Sequence, residues 1–170
     1  MQNAFCLVHS AYCLLYDMKI LVLGLGNPLL SDDGVGWRVA EKVREQNTNP
    51  DIEIDVHAGG GLSLMERMIG YDQAIIIDAL NTGHQPQGTV SSFRLEDLPN
   101  FAQSHLASAH ETTLQTALQV GHAMGAVLPK DIQIVAIEAQ NVYDFSEELS
   151  PTVASAVPQA VALVISQLGN

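Results

Sequence analysis

Two aspartates and one histidine in this chain combine residue types and positions that chemistry could use. Asp33 ends the loop Gly24-Leu-Gly-Asn-Pro-Leu-Leu-Ser-Asp-Asp33, which follows an apolar run and stands at the threshold of a helix. Asp78 terminates a second apolar run, Ala74-Ile75-Ile76-Ile77. His110 precedes a helix expected over 111–124, whose start carries the capping-box pattern Ser108-x-x-Glu111. Two carboxylates and one imidazole form an O/O/N set suited to a divalent transition metal. Three protein ligands leave positions open for substrate or water, as catalytic metal sites do. An ionised carboxylate beside a buried sheet is costly unless paired or metal-bound, so Asp78 is the most telling of the three. Asp32 is assigned instead to capping the next helix, a role in which asparagine is also competent. Among the other histidines, His57 ranks next because it follows a strand and precedes Gly59-Gly60-Gly61.

The elements that must position these residues alternate. Lys19–Gly24 reads as a strand buried on both faces, and a helix follows from about Gly34 to Gln46, with Val35, Val39 and Val43 on one stripe. Strands are expected at Ile52–Val56, Ala74–Asp78, Val90–Leu95 and Ile132–Ile137, with a short helix at Leu62–Ile69. Ser150-Pro151 starts a last helix, which Pro158 should kink or shorten. This alternation implies an α/β fold, a three-layer α/β/α sandwich around a mostly parallel sheet. Sites in such sheets lie at the carboxyl ends of strands, where Asp33, Asp78 and His110 all arrive.

The glycine loop is not a dinucleotide site. Leu29 occupies the third glycine position of G-x-G-x-x-G, and Asn27-Pro28 stops a helix from starting where a pyrophosphate would sit. Asp55 also lies farther beyond Gly26 than the ~20 residues of that fingerprint. No P-loop, G-x-S-x-G or H-E-x-x-H occurs.

Composition narrows the class further. Of 170 residues, 47% are hydrophobic and 15% charged, which excludes a disordered chain and suits one domain. Seven Lys+Arg against 19 Asp+Glu give a net charge of -12, so nucleic acid and anionic membrane surfaces are repelled. No apolar stretch is expected to reach the ~20 residues of a membrane span. Two cysteines, Cys6 and Cys13, provide neither a disulfide scaffold nor a structural zinc site. Both lie in residues 1–17, a segment with no Lys or Arg that is read as an extension outside the fold; residues 18–170 form the domain. A cytoplasmic, acidic α/β domain is the expectation.

From Met18 to about Ala162 the chain resembles the NiFe-hydrogenase maturation endopeptidases, which trim the C-terminus of the hydrogenase large subunit. The block Lys19–Gly36 is similar to that family's most recognisable motif, G-x-G-N-x-x-x-x-D-D/E-x-x-G. The resemblance implies metal contacts at Asp33, at Asp78 in Ile77-Asp78-Ala79, and at His110 in Ser108-Ala109-His110. It implies a twisted five-stranded sheet between helix layers, of the phosphorylase/hydrolase-like kind. It also implies no tightly bound cofactor: the nickel arrives in the large-subunit precursor, and other divalent ions can stand in for it in crystals. The metal could position the scissile peptide and polarise its carbonyl or a water, or Asp33 or Asp78 could activate water directly.

One stretch departs from the family. Many members carry an aspartate just before the glycines of a D-G-G-T-like block; here Val56-His57-Ala58-Gly59-Gly60-Gly61 has no acid. Either His57 substitutes, or the position is not universally needed, or the substrate is a variant one. Two rival activities stay open beside the protease. One is a metal-dependent hydrolase of a small phosphorylated or amide substrate; the other is a nickel-sensing chaperone that binds the large subunit without cutting.

Overall fold

The computed structural model describes residues 18–97 and 113–169. Five strands form one sheet in the order β2-β1-β3-β5-β4. They are β1 (Ile20–Leu25), β2 (Ile52–His57), β3 (Gln73–Leu80), β4 (Val90–Arg94) and β5 (Asp131–Glu138). β1 pairs in parallel with β2 and β3, and β3 with β5; β4 alone runs antiparallel, on the edge against β5. Helices α1 (Val35–Gln46) and α4 (Pro151–Leu168) cover one face; α2 (Gly61–Arg67) and α3 (Leu114–Ala123) cover the other. The expected three-layer sandwich with a mostly parallel five-stranded sheet is therefore present.

Strand pleating divides the core in two. Along β1, Val22 joins the layer under α1 and α4, while Leu21, Leu23 and Leu25 join the layer under α2 and α3. The β1 and β3 sequences read as continuous apolar runs because both faces are buried.

Several boundaries differ from expectation. β3 continues past Asp78 to Leu80, so Asp78 lies inside the strand rather than at its end. Pairing explains this: β1 leaves β3 at Gly24↔Ile77, but β5 stays with it through Leu80↔Glu138. Helix α3 starts after Thr113, whose hydroxyl accepts from Thr116 N at 3.2 Å and caps it. Ser108 and Glu111 therefore do not cap α3; they, His110, and residues 1–17 with Cys6 and Cys13 lie outside the described residues.

Helix α4 is neither shortened nor ended by Pro158, which sits inside it on the exposed face, where water can take the place of the missing amide. With 18 residues and mean hydropathy 1.3, α4 is long and apolar enough by composition to cross a membrane, contrary to the expectation that no stretch is. In this fold Val153, Ala156, Ala160, Val161 and Val164 are buried, and α4 packs on α1 and β5.

Candidate functional site

The loop after β1 is built by its glycines. A Cβ on Gly24 would lie 2.4 Å from Gly36 O, and one on Gly36 would lie 2.3 Å from Leu25 O and 2.5 Å from Ile77 O. Helix α1 can start this close to β1 and β3 only because both positions lack a side chain. Gly26 has φ +110°, and a Cβ there would meet Asp33 O at 1.9 Å. The spacing of the motif thus folds the chain back on itself and sets Asp33 over the end of β1. Asn27 completes the turn: its amide donates to Asp33 Oδ2 at 2.6 Å, and its own Oδ1 accepts from Leu29 N at 3.0 Å.

Asp78 faces the same site from the next strand. Its Oδ1 accepts from the adjacent Ala79 N at 2.8 Å. Burial and, second, the charge of Asp33 push the Asp78 carboxyl up to about 8, against the smaller lowering by the Ala79 hydrogen bond. Burial likewise raises Asp33, with the Asn27 amide opposing. The charge of Asp33 thus reaches Asp78, which brings the two carboxyl groups into one site. Among the described residues neither has a Lys or Arg ion-pair partner. The structure thus brings together two of the three expected ligands. No set of three or more His, Cys, Asp or Glu able to hold a metal occurs among the described residues, and His110 lies outside them.

Asp32 does not cap α1, contrary to expectation; the N-cap position is Gly34 and carries no side-chain cap. The Asp32 side chain, fully buried, turns the other way. Its Oδ1 accepts from Ser150 N at 2.7 Å, and its Oδ2 accepts from Ser150 Oγ at 2.9 Å and Gln87 Nε2 at 3.0 Å. It thereby ties the β1–α1 loop to the β3–β4 loop and to the start of α4. Ser150 occupies the N-cap position before Pro151, as expected, but its hydroxyl serves Asp32 rather than its own helix.

Glu138 is a further acid that closes an apolar run, the same local pattern that singles out Asp78. It is buried, and its carboxylate accepts from Thr82 N, Thr82 Oγ1 and Gly83 N at 2.8–2.9 Å. Asp55 forms an ion pair with Arg67 of α2. His57 pairs in register with Leu25, on the face to which Asp78 points but two strands away, roughly 10 Å at the backbone. Ser63 Oγ donates to Gly60 O at 3.0 Å, so its 3.0 Å contact with His57 Nε2 puts the ring proton on that nitrogen. His57 is thus fixed beside the carboxylates rather than among them.

A desolvated carboxylate pair at the carboxyl end of a mostly parallel sheet between two helix layers lies where α/β-sandwich enzymes carry their sites. The chain belongs, more narrowly, to the hydrogenase maturation protease family, whose profile matches residues 37–167. The hydrogenase 2 maturation protease of Escherichia coli is 30% identical over 153 residues, 89% of this chain and 91% of that protein. The hydrogenase expression/formation protein HupD of Rhodobacter capsulatus is 30% identical over 152 residues, covering 88% and 71%. Among solved structures, the hydrogenase maturating endopeptidase HybD from E. coli superposes with a TM-score of 0.73 at 30% identity, over 89% of this chain and 92% of that one.

Proposed function

We propose that this protease removes the C-terminal extension of a NiFe-hydrogenase large-subunit precursor in the cytoplasm once nickel has been inserted, and that it recognises the nickel itself. The contrast among the buried acids carries the reading. Asp32 and Glu138 each accept hydrogen bonds from three donors and are fully occupied in joining loops. Asp33 and Asp78 receive one backbone amide each, and the charge of Asp33 raises the affinity of Asp78 for a proton. Two desolvated carboxyl groups with so few donors suit a cation shared with a partner, which takes the place of the proton on Asp78. Asp33, Asp78 and His110 would complete the coordination of the substrate's nickel, which is held mainly by the precursor. At that point the ion orients the scissile peptide, and a carboxylate of the pair can take a proton from the attacking water.

Incubation with nickel-loaded precursor tests the reading. The expected result is a loss of mass at the precursor's C-terminus. Binding without mass loss would establish the chaperone instead, and neither binding nor loss would leave the small-substrate hydrolase.

A further inference from the structure

We infer that Leu29, Tyr143 and Phe145 form the docking surface for the large-subunit precursor, receiving an apolar stretch of that protein flanked by Lys or Arg. The inference rests on the function proposed above. Tyr143 and Phe145 are 82% and 84% exposed, and Leu29 is 43% exposed. Large aromatic side chains this open, two residues apart on one segment, are the kind of anchor that protein interfaces use.

Their exposure does not come from a loose loop. Leu30 and Ser146 form a parallel bridge; Ser146 N donates to Leu29 O at 3.0 Å, and Ser31 N to Ser146 O at 2.7 Å. Asp32 N donates to Asn141 O at 3.1 Å, and Ser31 Oγ to Glu148 O at 3.0 Å. Ser31 is held at φ +49°, a strained value for a residue with a side chain, by these contacts. The segment after β5 is thus stitched to the loop that carries Asp33, and Leu29 stands beside Ser146 on that seam.

Charge selects the partner. Asp144, Glu147 and Glu148 are exposed on the same segment, and no Lys or Arg follows Lys130 in the chain. The nearby guanidinium of Arg38 is engaged with Glu147 O and Glu41. An acidic rim around aromatic anchors attracts a cationic, apolar segment and repels a second copy of this chain, whose net charge is -12.

The test measures precursor binding and cleavage side by side with the full chain. Tyr143→Ser/Phe145→Ser should weaken the precursor's Kd by roughly tenfold or more, the loss typical of removing interface anchors, and raise KM with kcat little changed. Asp144→Asn/Glu147→Gln/Glu148→Gln should flatten the salt dependence of binding. Met124→Ser/Val127→Ser removes comparably exposed apolar side chains in the α3–β5 connection, at the amino end of β5, and should leave Kd unchanged. Equal Kd for wild type and the aromatic variant, or equal weakening by the Met124/Val127 control, would overturn the docking surface while leaving the protease reading intact. Precursor that binds wild type but stays uncut would overturn the protease reading alone, with docking still decided by the Kd ratio. Precursor that does not bind wild type at all would overturn both.

Discussion

The carboxylate of Asp32 accepts hydrogen bonds from both the amide and the hydroxyl of Ser150, 118 residues farther along the chain. Adjacent acids of one motif are thereby separated: Asp32 fastens the α4 start to the β1–α1 loop, and Asp33 faces the candidate site beside Asp78. Asparagine at 32 has one acceptor oxygen where three donors converge, so either amide orientation sets an NH2 group against a donor. Asp32→Asn should cost roughly 1.5–3 kcal/mol, the range for hydrogen bonds to a charged group. At about 2–4 °C per kcal/mol for a chain of this size, Tm should fall by several degrees. Processing should persist below that temperature. Denaturant unfolding beside an activity assay checks both; an unchanged midpoint would mean that the loops are held by other contacts.

Asp78→Asn should do the reverse, abolishing processing while stabilising the metal-free fold. The Asp78 carboxyl is pushed up to about 8 in the folded protein and returns to the ordinary carboxylate range, about 4, when unfolded. Below about pH 4 both states hold the proton, and the folded form carries no penalty. Between about 4 and 8 the unfolded state releases it first, so stability falls as pH rises, and above about 8 the loss is complete. Asp33, also raised, acts in the same direction. Urea unfolding of wild type and Asp78→Asn at intervals from pH 5 to 8, with chelator present, should show the gap in favour of the variant widening with pH. A constant gap would exclude burial of an ionisable pair as its cause.

The glycines provide a graded series. Gly36→Ala drives a methyl group into two strand carbonyls, Leu25 O and Ile77 O, which belong to the sheet and cannot move aside. It should cost on the order of 2 kcal/mol or more and displace the helix that follows Asp33. Gly125 has φ +80° but open space around the Cβ position, so Gly125→Ala should lose only about 1 kcal/mol of backbone strain and keep full activity. Comparing midpoints and processing rates of the two variants checks the argument. Equal damage would show that the close approach of Gly36 to the strand carbonyls costs no more than the left-handed backbone at Gly125 does.

Local pattern made most of the fold legible. Apolar runs such as Ile75-Ile76-Ile77 imply a doubly buried strand wherever they pack, and the Gly24–Gly36 spacing constrains a loop by sterics alone. The sites were harder to separate because an acid after an apolar run looks the same at Asp78 and at Glu138. Only tertiary structure reveals that Thr82 and Gly83 satisfy Glu138, while Asp78 receives just the amide beside it. Asp32 was misread for a related reason. Helix caps are local and readable, but its true partner, Ser150, is brought near by the return of β5 to the middle of the sheet.

Cleavage should require nickel in the substrate and should not be rescued by metal supplied to the enzyme alone. Under the proposed function the precursor holds the nickel mainly, as soft thiolate ligands would, whereas two carboxylates and an imidazole are harder and fewer. Loading the enzyme by itself must also overcome the proton that Asp78 retains near neutral pH. A precursor that brings the ion would itself fix the metal beside Asp33 and Asp78, and the enzyme's modest affinity would then act at a high effective concentration. The comparison uses apo precursor, nickel-loaded precursor, and apo precursor with enzyme preincubated in nickel and then desalted; only the second should be cut. Asp33→Asn, Asp78→Asn and His110→Ala should each abolish that cutting, since a shared ion loses its bridging geometry when any contact is removed. Near-wild-type cleavage by one of these variants would remove that residue from the set. Efficient cutting of the apo precursor would eliminate nickel recognition and leave the Asp33–Asp78 pair as direct acid–base catalysts.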